Sequence, residues 1–478
     1  MKAHRTAPNF PRCPSITGLT ALHSITAFMS STARGQIPKR IANISMSIDR
    51  HGPDRGQAFE VCAVNEVLDT QERHNVSRFF LASSLWFICV GIHSVFLPWV
   101  LISVVHASAF QFGVAQMCLM LPVLILVIYG GYVADRKPLR KLLVCVYLAS
   151  ALTALLFAVW SYQSAITYTK VLIYALSFGV LSAFCAPARE LYLNVLGKKQ
   201  LQKIVTINIG IEFGIQTVGF AIGGIAQQVG ISLMFLSLSL LFVMSSLAAS
   251  RISVTTPSKR HSGLIAETLT ALRFSIRHPV IFPVLLLNGL IGVFFLGSFF
   301  VMMPLHVFGL PGYSASLLAL FNTVFMGGLI ASVVTLVVKG GVHHTLRALI
   351  SSCLLASVLL AVIPSVLTEW VLFLLVFGWG FLGGIALSMG QTLIQENAPA
   401  SNKAQVLALL MLFFMGGCPI GSFLLGALLE FVEAPVVGLI SAVAMIVSIT
   451  AVTYLYALWN AHHERTDTAL LRRHIDRL

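Results

Sequence analysis

The sequence predicts an all-α polytopic membrane protein with twelve transmembrane helices in two six-helix pseudo-repeats, and three observations predict it. Of the 478 residues, 57% are hydrophobic and 10% are charged, against roughly 25% charged in soluble domains. From Phe79 to Leu458 apolar runs recur with short polar breaks, each about the 20 residues that a helix needs to cross a ~30 Å hydrocarbon core. The runs are apolar on all sides, whereas strands of a membrane barrel alternate apolar and polar residues.

The first 76 residues carry no apolar run of spanning length and no acid before Asp49, which reads as a disordered cytoplasmic extension. Their Arg-, Ser- and Thr-rich start has the composition of a targeting segment, and an upstream stretch before a start at Met46 is a further reading. The predicted spans follow at 79–105, 112–134, 142–162, 170–192, 203–226 and 231–250, forming a bundle over 77–250. A polar linker, 251–279, opens on the loop signal Thr255-Thr256-Pro257-Ser258, and its stretch from Ile265 to Phe274 patterns as a short amphipathic helix on the membrane surface. The second bundle, 280–459, holds spans at 280–304, 314–338, 346–365, 369–392, 404–430 and 435–458, and a basic tail, 460–478, ends the chain.

The formal charge of +14 invites a nucleic-acid reading, so the placement of the charge decides. Ten of the 31 Lys and Arg precede Phe79, and twenty more fall in the even-to-odd loops and the tail. Only Lys170 falls on the other side. This is the positive-inside asymmetry of a membrane protein with both termini cytoplasmic, and it excludes nucleic acid as the partner. The eight cysteines are scattered singly, with Cys89, Cys118, Cys145 and Cys185 inside apolar runs, so neither a disulfide framework nor a metal-spaced set is present.

Between the second and third spans stands a charged elbow, Gly130-Gly131-Tyr132-Val133-Ala134-Asp135-Arg136-Lys137-Pro138-Leu139-Arg140-Lys141. Its Gly-x-x-x-Asp-Arg core followed by basic residues resembles the loop signature of the major facilitator superfamily of secondary transporters. The resemblance implies a close-approach glycine at Gly131 and a conformational latch of Asp135 with Arg136 and Arg140. The pattern departs from the family at Pro138, where a glycine is usual, and at Leu139, where a basic residue is usual. The plain alternative is a cluster that only fixes topology. In the second half, Lys339-Gly340-Gly341-Val342-His343-His344 keeps glycines and charge but no acid.

Gly219-Phe220-Ala221-Ile222-Gly223-Gly224 resembles the fifth-helix signature of exporters in that superfamily, with Phe220 where proline is usual. The alternative role of Gly219, Gly223 and Gly224 is tight helix packing. Pro187-Ala188-Arg189 closing the fourth span, Arg277-His278-Pro279, Gln391 to Gln395 with Pro399, and Gly416-Gly417-Cys418-Pro419-Ile420-Gly421-Ser422 are similar to the branch that includes the enterobactin exporter and the macrolide efflux permeases. Lys403-Ala404-Gln405-Val406 departs from the Arg-Gly-Arg-Val run usual there.

Of the 17 acidic residues, only Glu212 lies near the middle of a span. A charge at that depth costs about 2.5–3.5 kcal/mol on insertion scales, so such a residue faces a cavity or a partner. Depth penalises the charged form, which suits a group that loads and releases a proton; a permanently protonated interhelical hydrogen bonder is the structural alternative. Asn208, Glu212 and Gln216 stand four apart, within an arc of about 80° on one helix face. His93, central in the first span, is a second proton-coupling candidate, or a satisfied interhelical hydrogen bonder. With Asn208 and Gln216, the amides Asn288, Asn322 and Gln391 of the second half are cavity candidates suited to a neutral or zwitterionic cargo, or are interhelical glue. Trp86, Trp99, Phe294, Phe295 and Phe299 could line the cavity or pack the core.

No Gly-x-x-x-x-Gly-Lys-Ser/Thr loop is present, and His462-His463-Glu464-Arg465 lacks the spacing of a zinc hydrolase, so neither an ATP-driven pump nor an intramembrane metalloenzyme is read here. The reading is a monomeric carrier in a bacterial-type cytoplasmic membrane, exporting a small siderophore- or drug-like molecule against protons. Its partners are that cargo, protons and the lipid bilayer; no cofactor, metal or catalytic residue is expected. The alternatives are an uptake permease, a lipid flippase and a transporter-like sensor.

Overall fold

An apolar run in lipid can pair every backbone group only by coiling into helix, and the chain folds accordingly. The computed structural model describes residues 55–163, 166–196, 201–253, 264–339, 342, 344–399 and 402–456. The chain divides into two units, Met1–Val76 and Ser77–Leu478. The expectations for the first 54 residues, for Thr255-Thr256-Pro257-Ser258, for Gly340-Gly341 and for the tail from 457 onward lie outside the described residues.

The first half comprises α1 (Arg55–Trp99), α2 (Ala109–Arg136), α3 (Leu139–Gln163), α4 (Tyr168–Leu196), α5 (Leu201–Gly224) and α6 (Ile231–Ser250). After a linker helix, Leu264–Arg277, come α7 (Ile281–Phe308), α8 (Ala315–Val338), α9 (Thr345–Ser365), α10 (Glu369–Asn397), α11 (Lys403–Leu429) and α12 (Ala434–Leu455). Among the described residues eleven helices are long and apolar enough to cross a membrane, α1 doing so over His74–Val104. The remaining one, α5, has 24 residues and carries Glu212. The protein is an all-α polytopic membrane protein. Leu240 (58% exposed), Leu247 (55%) and Leu374 (72%) belong to an apolar exterior that water would not tolerate at this extent but lipid does.

Two expectations are corrected. The extension expected to be disordered is helical from Arg55 onward, because Gln57, Ala58, Glu60, Glu66 and Leu68 are helix formers that need no apolar run. The fourth span does not close at Pro187-Ala188-Arg189: α4 continues through Pro187 to Leu196, as proline-bearing helices do where neighbouring helices support them.

The internal repeat is visible in how the helices touch. In the first half α1 pairs with α5, α2 with α4 and α3 with α6; in the second, α7 pairs with α11, α8 with α10 and α9 with α12. Small residues make the corresponding crossings. A Cβ on Gly219 of α5 would stand 2.8 Å from the Cα of Gly91 in α1, and one on Gly417 of α11 would stand 2.7 Å from the Val293 nitrogen in α7. Without a hydrophobic drive between helices in lipid, such backbone approach is what brings dispersion contacts into range. Both α1 and α7 contain π-helical turns, Val100–Val104 in the first and Gly292–Leu296 and Ser298–Met302 in the second. The linker helix packs against α7 and α11.

Trp86, Trp99, Phe295 and Phe299 are buried and Phe294 is half-buried. Trp86 packs with Tyr147, Phe178 and Phe242, and Phe299 with Phe325 and Trp379. These aromatics fill the interiors of the two bundles.

Candidate functional site

Helix α5 presents Asn208, Glu212 and Gln216 one turn apart. Asn208 is buried with its Oδ1 unpartnered, while Glu212 and Gln216 are half-buried. The charge nearest in effect to Glu212 is Arg189 of α4, followed by the exposed Glu190. Sequence reading counted Arg189 among loop charges because it stands close to the end of its apolar run. The structure places it inside the bundle, 7% exposed, its guanidinium 4.1 Å from the centre of the Phe87 ring on α1. A long side chain carries the charge inward from a helix end. A basic residue two positions after a proline, still inside the apolar span, was the available signal.

His93 does not join Glu212. Its Nδ1–H donates to the Cys89 carbonyl at 2.6 Å, and its Nε2 hydrogen-bonds the Tyr174 hydroxyl. Because a carbonyl can only accept, Nδ1 carries a hydrogen, and both ring nitrogens are occupied. It also stacks on Phe178, ring centres 4.2 Å apart. His93 therefore holds α1 to α4. His93→Phe is expected to leave the Cys89 carbonyl and Tyr174 hydroxyl buried without this partner, costing about 1–3 kcal/mol. Thermal unfolding in detergent should show the loss.

In the second half Asn288 is fully buried, donates Nδ2–H to the Val284 carbonyl at 2.8 Å, and keeps Oδ1 unpartnered. It lies against Gly390, where a Cβ would meet Asn288 Nδ2 at 2.9 Å; half-buried Gln391 follows on α10. Asn322 of α8 instead donates across to the Ser94 carbonyl of α1 at 3.4 Å, which makes it part of the seam between the halves.

That seam runs α2 against α11 and α5 against α8. At the end where α2 begins, a Cβ on Gly113 would stand 2.5 Å from the Ser422 carbonyl oxygen and 2.8 Å from the Gly426 Cα. One on Gly224 would stand 2.9 Å from the Ala319 Cβ. So Gly224 packs the halves together, while Gly219 and Gly223 pack α5 on α1. Polar clasps rim the seam. Ser103 hydrogen-bonds Tyr313, and Glu430, just past α11, accepts the Phe110 N–H of the first turn of α2 at 3.0 Å. This carboxylate sits at a positive helix end. The Phe110 N–H, and after it the Ser108 hydroxyl, hold the Glu430 carboxyl below the usual carboxylate range. The clasp is thus fully present above that range and is lost as pH falls through the lowered value.

Two six-helix halves with paired packing, closed on each other at one face, match a known family over residues 79–422, the Major Facilitator Superfamily. The chain belongs to the Major Facilitator Superfamily. It is similar to a staphyloferrin A transporter of Staphylococcus aureus (strain NCTC 8325 / PS 47), 29% identical over 153 residues. That stretch covers 32% of this chain and 38% of the relative's length. Among solved structures it resembles the nucleoside transporter NupG, with a TM-score of 0.63 and 14% identity over 81% of this chain and 99% of that one. A bacterial homolog of the human lysosomal transporter Spinster, inward-facing and unoccupied, gives 0.59 and 14% over 81% and 96%. At such identities these structures share the fold.

The elbow of this superfamily member joins the end of α2 to the start of α3. A Cβ on Gly130 would stand 3.3 Å from the Pro187 ring of α4, and Gly131, one residue and about 100° on, is half-buried. Asp135 is half-buried and engaged, the Arg136 guanidinium lies 4.1 Å from the centre of the Tyr132 ring, and Arg140 donates to the Ile252 carbonyl at the end of α6 at 3.3 Å.

Proposed function

We propose that this transporter-family protein exports a small organic anion or drug-like molecule, siderophores included, in exchange for protons, by rocking its two halves about a midplane site. The observation that carries the reading is Glu212, a half-buried carboxylate midway along α5 within electrostatic reach of a buried arginine. A carboxylate retained at bilayer depth is a functional group by default, and exchange between its charged and neutral forms is the simplest coupling device. Asn208, Gln216, Asn288 and Gln391 orient the cargo, and the Asp135 elbow with Arg136 and Arg140 steadies one end state.

The basic loops put both termini in the cytoplasm of a bacterial-type inner membrane, so the Gly113–Gly426 seam is the outer gate. The matched stretch of the staphyloferrin A transporter and the branch-like motifs near Arg189 and Pro419 support a siderophore-like cargo. Uptake is the second reading, favoured by Phe220 where exporters of the superfamily carry proline.

The test is purified protein in liposomes with an imposed pH gradient and a panel of siderophores and lipophilic drugs, recording proton flux. Flux triggered by a panel member and absent in Glu212→Gln is the expected result. Cargo movement that ignores the gradient in the wild type contradicts proton coupling.

A further inference from the structure

Among the described residues two lysines or arginines are buried, Lys170 and Arg189. Lys170 lies in the first turn of α4 with its ammonium 4.6 Å from the centre of the Trp160 ring. Arg189 is different in kind. Its guanidinium reaches Phe87, thirteen residues inside the crossing part of α1, which starts at His74, and its buried Nε has no hydrogen-bond partner. Glu212 acts on it through space, yet among the described residues no hydrogen bond or ion pair joins the two. The titratable groups around it are Tyr147 of α3, Cys185 of α4 and Glu212 of α5, with Glu190 of α4 acting on Glu212 and Cys89 of α1 on Tyr147. One buried cation and one half-buried carboxylate therefore act on each other in a half that also offers the unpartnered Asn208 Oδ1. A planar guanidinium over an aromatic ring with an idle N–H is suited to a carboxylate, which it can hold through two parallel hydrogen bonds.

We infer that Arg189 receives a carboxylate of the cargo, and that this carboxylate and the ionised side chain of Glu212 hold it in turn. The inference rests on the uptake reading of the proposed transport function and specifies its cargo class, an organic acid with an aromatic or apolar body to lie along Phe87. When the cargo carboxylate occupies Arg189, Glu212 loses its counter-charge and takes one proton from solvent; when the cargo leaves, that proton is released. Cargo and proton then bind together, which is the co-transport that the uptake reading needs, and the coupling requires no second acid in the other half.

The test is calorimetric and uses benzoate, with benzamide as its uncharged isostere, on the full chain in detergent and in buffers of different ionisation enthalpy. Wild type should bind benzoate about tenfold or more tightly than benzamide, as a charge-assisted buried contact implies, with net uptake of protons. Arg189→Gln should bind the two alike, and Arg189→Lys should keep part of the preference. Glu212→Gln should keep the preference while losing proton uptake. Equal affinity for both probes in wild type, no benzoate binding, or undiminished preference in Arg189→Gln overturns the inference. If Arg189→Gln does not fold, the lysine variant and the proton count in Glu212→Gln decide it; uptake equal to wild type in Glu212→Gln is contrary to the exchange. Binding is read without flux, so a preference for benzoate with no gradient-driven transport leaves this site standing and removes the proposed function.

Discussion

Gly113→Val is expected to hold the two halves apart at the face where α2 begins and to reduce turnover by about ten- to a hundredfold, while the chain still folds. The valine Cβ would meet the Ser422 carbonyl oxygen at 2.5 Å and the Gly426 Cα at 2.8 Å. These are backbone atoms of the opposite half, so no side chain can swing aside. Overpacking of this kind costs about 1–3 kcal/mol. It falls on the state in which this face is closed, because the halves separate there in the other state. A cost of that size borne by one state moves a two-state equilibrium by roughly 5- to 150-fold. An impermeant thiol reagent against a cysteine at Ser422, buried in the seam opposite Gly113, reads the change: labelling should rise in Gly113→Val. Labelling and turnover equal to wild type would show that the seam does not control access.

Glu212→Gln is expected to abolish accumulation of cargo driven by a pH gradient and to leave exchange of cargo down its own gradient. Glutamine keeps the shape and hydrogen-bonding capacity of the protonated acid but cannot ionise. The variant also leaves Arg189 permanently without its nearest opposing charge. Countertransport of labelled cargo in liposomes separates the two functions. Retained uphill accumulation in Glu212→Gln would place the coupling group elsewhere.

What could be read in the chain, and what could not, follows from the range of each interaction. Helices announce themselves through about twenty apolar residues in a row, so the spans and their division into halves were legible, although helix formers such as Gln57 and Ala58 carry α1 upstream of any apolar signal. Glu212 was legible because an acid at depth is rare enough to stand alone. Arg189 was not, since a side chain that starts near a span's end and turns inward looks in sequence like any basic residue at a membrane boundary. A two-glycine run leaves helix phase open, so the approach of Gly130 to Pro187 was not legible. The tyrosine that completes His93 lies 81 residues away, and the residue that accepts the Phe110 N–H lies 320 away. Nothing local encodes such pairs. The repeat was legible as six plus six, but not as matched glycine crossings, because Gly91–Gly219 and Gly292–Gly417 share spatial roles with little local sequence likeness.

The central claim is that the two halves rock about the midplane, opening one face as the other closes. Paired distance measurements between spin labels test it most directly. One pair, at Gln111 and Glu433, flanks the clasp of Glu430 on α2; the other, at Lys141 and Lys339, spans the halves at the opposite face, and all four residues are exposed. The account predicts that a change of pH or addition of a transported cargo lengthens the first distance as it shortens the second, and that Gly113→Val holds the first pair long. Two distances that stay fixed under every condition, or that lengthen together, would contradict it.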